Sequence, residues 1–309
     1  MRRRALPYAA VGFDDHYRAL FGDRWAALEA AMRSPPRFAA RANPFAAEAG
    51  VSEAGAGADA LAALGTTPVP GLAGTFEAAR PLPAPARDAA GLLRWYLLDA
   101  ASILAVEALA VPPGARVLDM CAAPGGKAWQ LACPLAESGE LVANDRSAAR
   151  RARLARVLDD YLPPDVRARV RVTGHDATRW SLFERDAYDR VLVDAPCSAE
   201  QHVLLDPGAL RRWTPARSKQ LATRQYALLA AALDAVRVGG RIVYATCALQ
   251  PRENDGIVAR LLADGRRAGR ARTLPPPEPF GEPTVHGLAV LPDASNWGPL
   301  YLAVIERVA

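Results

Sequence analysis

The sequence predicts an α/β fold, with a mostly parallel sheet covered by helices on both faces and a smaller helical region in front of it. Three observations predict this. From about residue 90, short Val/Ile/Leu runs alternate with segments of helical spacing. The runs are apolar throughout, as strands buried on both faces must be. They close on Asp119, Asp145, Asp176, Asp194 and Cys247, and ligands in such sheets bind just outside the carboxyl ends of the strands.

Residues 1–88 read as an N-terminal helical region with a linker. "FDDHYRALFGDRWAALEAAMR" has helical spacing, with Leu20, Phe21, Trp25 and Leu28 on one side. "EAGVSEAGAGADALAALG" is rich in Ala and Gly, and "ARPLPAPARDAAG" is a Pro-rich linker. Residues 89–309 form the α/β unit. "RWYLLDAASILAVEAL" reads as a helix leading in, followed by the strand "ARVLDM" and the helix "GGKAWQLACPLA". The strand "ELVAND" precedes the helix "SAARRARLARVLDDY". "ARVRVTGHD" and "YDRVLVDAP" are the third and fourth strands, and "RSKQLATRQYALLAAALDAV" is a long helix. "GRIVYATC" is the fifth strand, "ENDGIVARLL" a helix and "PLYLAVIERV" the last strand.

Half of the 309 residues are apolar, enough for a substantial core, and no apolar run is long enough to span a membrane. The opening "MRRRALPYAAVGF" lacks the apolar stretch and cleavage site of a secretory signal. A net charge of +5 tilts the partner toward an anion. The four cysteines form no C-x-x-C pair and have no His at ligand spacing, so free thiols are expected and zinc is not. Among 38 basic residues only Lys127 and Lys219 are lysines. In an arginine-biased chain, a surviving lysine is a weak pointer to a place for a compact ammonium, as at Lys127, whereas Lys219 falls on an exposed helix stretch where chance explains it.

The strand ends carry the chemistry. "VLDMCAAPGGK" places Gly125, Gly126 and Lys127 after the first strand, but lacks the G-x-G-x-x-G spacing of a dinucleotide site. Asp145 is placed to hold ribose hydroxyls and Asp176 to accept from an adenine amino group. A loop for a carboxylate, then a ribose acid, then an adenine acid suit S-adenosyl-L-methionine better than a pyrophosphate cofactor. Asp194, Pro196 and Cys197 follow the fourth strand, and Cys247 closes the fifth. Neighbouring strands lie about 4.8 Å apart, so both thiols can reach one substrate ring. Thiolate addition at carbon 6 of a pyrimidine makes carbon 5 nucleophilic, and an acid near ring nitrogen 3 stabilises the developing charge. Position alone leaves open which thiol attacks.

At these residues the chain resembles the RsmB/NOP/Sun family of RNA cytosine-5 methyltransferases, through "VLDMCAAPGGK", "VDAPCS" and "YATCALQPREND". "FDDHYRALFGDRW" and "NWGPLYLAVIERV" are similar to its mitochondrial ribosomal-RNA branch. The resemblance implies a Rossmann-like class I S-adenosylmethionine-dependent methyltransferase domain with a seven-stranded sheet. It assigns Cys121, Ala122, Ala123, Pro124, Gly125, Gly126 and Lys127 to the cofactor loop. Asp145 and Arg150 fall on the ribose side, Asp176 and Ala177 on the adenine side, and Asp194 near methyl donor and base. It gives attack to Cys247 and release to Cys197. The implied substrate is RNA, with ribosomal RNA preferred to transfer RNA, and a catalytically idle ribosome-assembly protein is the rival from another class. A monomer, a protein partner for targeting and no membrane are the accompanying expectations. The compartment would be the cytoplasm in a bacterium, and a mitochondrion or plastid in a eukaryote. One departure is "CSAEQH", where the family continues Ser-Gly, and no separate RNA-binding module is visible. Candidate RNA contacts are the arginine clusters at 150–156, 211–217 (beside Trp213) and 266–272. His202 has no assigned role.

Overall fold

The computed structural model describes residues 12–34, 37–46, 56–135, 138–276 and 280–309. The basic opening and part of the Ala/Gly-rich stretch lie outside these. Two sheets are present. The smaller joins β1 (Phe38–Ala42), β2 (Thr67–Pro68), β3 (Thr75–Ala78) and β4 (Trp95–Leu98) in the order β2-β3-β1-β4, all antiparallel. The larger contains β5 (Arg116–Asp119), β6 (Glu140–Asn144), β7 (Val170–Thr173), β8 (Tyr188–Asp194) and β9 (Val236–Thr246) as parallel neighbours in the order β7-β6-β5-β8-β9. β10 (Ala271–Leu274), β11 (Glu282–Pro283), β12 (Leu288–Val290) and β13 (Leu300–Arg307) extend it antiparallel beyond β9.

The parallel strands bury both faces, and the residues divide between them with a period of two. Val117, Leu141, Ala143, Leu192, Val243 and Ala245 face the helices Ala101–Leu109, Gly126–Ala132 and Ala148–Tyr161. Leu118, Val142, Val191, Val193, Ile242 and Tyr244 face the helices Ala216–Ala235 and Asp255–Ala263. That alternation is the pleat of a strand covered on each side. The arginine-rich helix Ala148–Tyr161 stays attached through one stripe, Leu154, Leu158 and Tyr161.

The fold departs from the sequence expectations at several points. The larger sheet has nine strands, not seven, because two-to-four-residue strands at its antiparallel edge carry too little pattern to read. "RWYLLDAASILAVEAL" is not one helix. Trp95–Leu98 is a strand, and the helix starts only at Ala101, whose amide donates to the Asp99 carboxylate at 2.9 Å. Asp99 is thus a break with its own helix-starting acid. The N-terminal region is only partly helical, because three strands of the small sheet alternate with its helices Phe13–Phe21, Trp25–Arg33 and Ala56–Ala63. Leu20 also faces solvent, since Gly22 (φ 59°) ends the first helix and a 3-10 turn resets the phase before Trp25–Arg33.

β1 pairs with β4 across the expected boundary at residue 88. Asn43, 2% exposed, reinforces that junction: its Nδ2 donates to the carbonyls of Leu93 (2.8 Å) and Tyr161 (3.0 Å), and its Oδ1 accepts from Phe45 N (3.1 Å). Asn43→Ala leaves these groups without their partner and is expected to cost about 2–3 kcal/mol. Chemical denaturation followed by tryptophan fluorescence checks it. A single shifted transition is expected, whereas an early separate transition would show that the small sheet unfolds independently.

Candidate active site

The functional side chains sit at or just beyond the carboxyl ends of parallel strands, so the strand order decides which of them meet. β5 ends at Asp119, and the chain then turns through a cis Ala123–Pro124 bond into the helix Gly126–Ala132. Two glycines make the turn possible. Gly125 has φ 122°, and a Cβ there would stand 2.9 Å from Val157 Cβ; a Cβ on Gly126 would stand 2.9 Å from the Tyr96 ring. The loop is pinned by the buried Asn144 at the end of β6. Asn144 Nδ2 donates to Met120 O (3.1 Å) and His175 O (3.2 Å), while its Oδ1 accepts from Thr173 Oγ1 (2.9 Å) and His175 N (2.8 Å). One amide thus holds the ends of three strands in register.

Lys127, on the first turn of that helix, reaches across β5 to β8 and places Nζ 2.8 Å from Asp194 Oδ2. Burial opposes the ammonium charge, yet Asp194 and Asp119 more than offset it and hold the group above its usual value. Asp119 is 1% exposed; its Oδ1 accepts from Cys121 N (3.3 Å) while Oδ2 has no partner among the described residues. Burial, reinforced by Asp194, raises this carboxyl to about 7. Tyr96, Ser102, Asp119, Ala122, Gly126 and Lys127 are among the residues lining a cavity of about 220 Å³. A second cavity of about 180 Å³ adjoins it, sharing Ser102, Lys127 and Asp194 and adding Asp99, His202 and Cys247.

On the far side of the loop, Asp145 is buried; Oδ1 accepts from Ser147 N (2.9 Å) and Oδ2 lies 3.4 Å from Arg150 Nη1. Arg150 also donates to the Ala123 carbonyl, tying this strand end to the glycine loop. Asp176 is drawn below the usual carboxylate range by Thr178, whose hydroxyl (2.8 Å) and amide (3.2 Å) both bond Oδ1. Its Oδ2 is 3.8 Å from Arg146, and Ala177 is buried behind it. Cys121 lines the first cavity, but burial pushes its thiol far up, which makes it an inert wall.

The two thiols come together. Cys197, past β8, and Cys247, past β9, are free, with sulfurs 3.0 Å apart. The Cys247 contact and burial push the Cys197 thiol up. Cys247 lines the cavity that contains Lys127 and Asp194.

What holds these loops in place was not legible in the motifs. Glu200 is fully buried and accepts from Leu249 N (3.0 Å), Tyr17 Oη (2.6 Å) and the Ser198 hydroxyl. Glu253, also fully buried, accepts from Ser198 N (3.0 Å) and Gln225 Nε2 (2.8 Å), and Gln225 Nε2 reaches Pro196 O (3.0 Å). Gln250 Nε2 donates to Tyr17 Oη (2.9 Å). The helix Phe13–Phe21 is therefore bolted to both cysteine loops. The "CSAEQH" departure becomes intelligible here: Ala199 adopts φ 52°, where a glycine is at ease, and the following Glu200 supplies the anchor. An acid lying so close to a cysteine motif was a signal, but its partners were not.

The arginine clusters separate. Arg267 and Arg270 are ion-paired to Asp234, and Arg272 to Glu306, at the amino end of the parallel strands, away from the site. Three of the four arginines of the 266–272 cluster are thus already ion-paired. Trp213 packs against Phe13 (5.1 Å), His16 (5.2 Å) and Tyr17 (5.8 Å), so its ring serves the N-terminal helices. Arg211 and Arg212 are exposed at the same end as the thiols.

A strand order of this kind, with a glycine loop after the first strand and acids at the next two ends, defines a class I S-adenosylmethionine-dependent methyltransferase. A family model described as 16S rRNA methyltransferase RsmB/F matches residues 106–306, and the chain belongs to that family. It is 39% identical over 289 residues to the bovine 5-cytosine rRNA methyltransferase NSUN4, covering 82% of this chain and 73% of that protein. It is 36% identical over 238 residues to the mitochondrial tRNA (cytosine(34)-C(5))-methyltransferase of Danio rerio, covering 74% and 64%. Among solved structures, NSun6 from Pyrococcus horikoshii with SFG superposes at a TM-score of 0.78 with 19% identity, over 99% of this chain and all of that one, which shows the fold.

The raised Asp119 carboxyl has a consequence for stability. An acid whose value rises on folding binds its proton more tightly in the native state than in the unfolded chain, so stability falls as pH rises from about 4 to about 7. Asp119→Asn is expected to flatten the profile across that window and to be more stable than the parent above it. Denaturant midpoints measured on the cofactor-free protein from about pH 4 to about pH 8 check this. Parallel profiles for the two proteins would show that Asp119 titrates like an exposed acid.

Proposed function

We propose that this chain methylates carbon 5 of cytosine in ribosomal RNA, using S-adenosyl-L-methionine, with Cys247 as nucleophile and Cys197 as the thiol of release. The observation that carries the reading is the pair of free thiols 3.0 Å apart at neighbouring strand ends, with Cys247 in a cavity shared by Lys127 and Asp194.

The residues present suit the cofactor. The loop around Gly125 and Gly126 is open where a Cβ would clash, which permits close backbone approach. The unpartnered Asp119 Oδ2 and the Lys127 ammonium offer opposite charges to the two ends of an amino-acid tail. Asp145 with Arg150 would hold the ribose, and Asp176 beside Ala177 the adenine. Cys121, Ala122, Ala123 and Pro124 would complete the wall. When bound there, S-adenosylmethionine supplies an electrophilic methyl group.

The chain's own contribution begins with Cys247. Its thiolate adds to carbon 6 of the cytosine, with the Cys197 sulfur 3.0 Å away beside the same ring. Asp194 is held by Lys127 in the junction between the cavities, where it can hydrogen-bond the base as charge develops on the ring. After methyl transfer Cys197, acting as a thiolate, takes the carbon 5 proton while the Cys247–carbon 6 bond breaks, which restores the aromatic ring and the Cys247 thiolate. A catalytically idle protein would have no use for a thiol and a part-buried ion pair lining one cavity, with a second thiol 3.0 Å from the first.

Ribosomal RNA is preferred to transfer RNA because the relative named for ribosomal RNA matches more of this chain at higher identity than the one named for transfer RNA. The compartment would follow the ribosome it serves, cytoplasm in a bacterium and mitochondrion or plastid in a eukaryote. No helix of the described residues is long and apolar enough to cross a membrane. A monomeric enzyme, guided to its site by a protein partner, is the assembly we favour.

Two measurements test the reading. Cys247→Ala should be inactive and trap no RNA, whereas Cys197→Ala should still attack and then stall, carrying RNA through a denaturing gel. Covalent RNA on Cys247→Ala instead would reverse the two roles. Separately, Asp145→Ala should weaken S-adenosylmethionine binding by roughly tenfold or more, the loss of a charge-assisted hydrogen bond. Calorimetric affinity equal to the parent's in a folded variant would remove Asp145 from the cofactor site.

A further inference from the structure

Lys219, one of only two lysines in the chain, takes no part in the site described above. It lines a groove of about 660 Å³ between the helices Ala216–Ala235 and Asp255–Ala263. Ala216, Ala222 and Gly256 form a small-residue floor, and the charges on its walls are Lys219, Arg252 and Arg260. None of the described residues lining it is an acid. Lys219, Arg252 and Arg260 are all exposed, and neither Lys219 nor Arg260 forms an ion pair with another described residue. Arg260 is instead held flat over the Tyr226 ring, 3.8 Å from its centroid. The acids at the two ends of the second helix are already engaged, Asp264 by Tyr226, Arg266 N and Arg267, and Asp255 by Thr284, Val285 N, His286 N and Tyr301. This differs from the arginines at the opposite end of the sheet, which are neutralised by Asp234 and Glu306.

The groove also has a direct mechanical link to the thiols. Gln225, on the helix that forms one wall, donates to Pro196 O next to Cys197 and to Glu253, which follows Arg252 on the other wall. Both walls are thus fixed to the loop carrying one catalytic thiol. An open channel with cations on both sides, a floor of small side chains and no carboxylate matches a phosphodiester backbone. Single-stranded RNA offers that backbone with flexible spacing.

We propose that this groove is the track for the RNA backbone flanking the target cytosine, with Lys219, Arg252 and Arg260 contacting its phosphates. The inference rests on the RNA methyltransferase reading. Lys219→Ala/Arg260→Ala should bind a single-stranded RNA with a log–log salt slope shallower by about 1.4, two contacts at roughly 0.7 each. KM for RNA should rise about tenfold at moderate salt, while kcat, S-adenosylmethionine affinity and thermal midpoint stay at parental values. Lys219→Arg, which keeps the charge, should retain the parental slope, as should Arg266→Glu at the far end of the sheet. A parental slope and KM in the double alanine variant, with the parent active on RNA, would overturn the groove and leave the activity standing. A parent unable to methylate any RNA would overturn the activity itself. Polyglutamate competing with RNA as effectively as an equal charge of heparin, and losing that effect in the double variant, would assign the groove to an acidic protein and also overturn the proposal.

Discussion

One ion pair organises the carboxyl end of this sheet. Lys127 Nζ and Asp194 Oδ2 meet at 2.8 Å in the wall shared by the two cavities, joining the glycine loop after β5 to the cysteine motif after β8. Burying a charged pair is costly unless both members are well paired. Here Asp119 adds a second carboxylate near the ammonium, and the pair is held by elements of very different stiffness. Lys127 stands on a helix whose entry is forced by Gly125 and Gly126, and Asp194 terminates a strand buried between two neighbours. The cofactor side and the base side therefore cannot drift apart independently. This is the geometric condition for transferring a group between two bound molecules.

The second requirement is that two loops from different strands present their thiols to the same point. Adjacent strands bring Cys197 and Cys247 close, but close is not fixed. Glu200 and Glu253 fix them, each buried and each bonded to both sides of the cysteine pair or its flanks. Tyr17 completes the clamp from the N-terminal helix, which Arg24 further ties to Asp293 at 2.6 Å and to Glu282 at 2.8 Å. The N-terminal helices are thus structural members of the active site, in contact with both its loops. A buried carboxylate with three donors is favourable only while all three are present, so this clamp closes or loosens as a unit.

Charge is distributed with equal economy. Arg267, Arg270 and Arg272 at the amino end of the parallel strands are neutralised locally, whereas Arg211, Arg212, Lys219 and Arg260 at the carboxyl end face solvent. The modest net charge of +5 conceals this asymmetry. For an anionic polymer, the sign and placement of a few accessible cations near the reacting atoms count for more than the total.

The parallel core was legible in the chain alone, because Val117/Leu118, Leu141/Val142 and Val191/Leu192 are apolar on both faces and only a sheet covered twice tolerates that. So was the candidate chemistry, since the ends of those strands are short, ordered positions where Gly125, Gly126, Lys127, Asp145, Asp194, Cys197 and Cys247 can be read one by one. Whatever depends on partners far apart in the chain was settled only on folding. β4 became a strand through pairing with β1, although Trp95–Leu98 next to a long apolar helix carries no local mark of it. Asn144 became the pin of three strand ends and Glu200 the anchor of two loops, and neither role has a local signature because the partners come from up to 183 residues away. Trp213 and the 266–272 arginines show the converse. Their composition suits RNA, but the first is consumed by aromatic packing and most of the second by ion pairs. Local pattern reports what a residue can do, and only the fold settles which of its possible partners it meets.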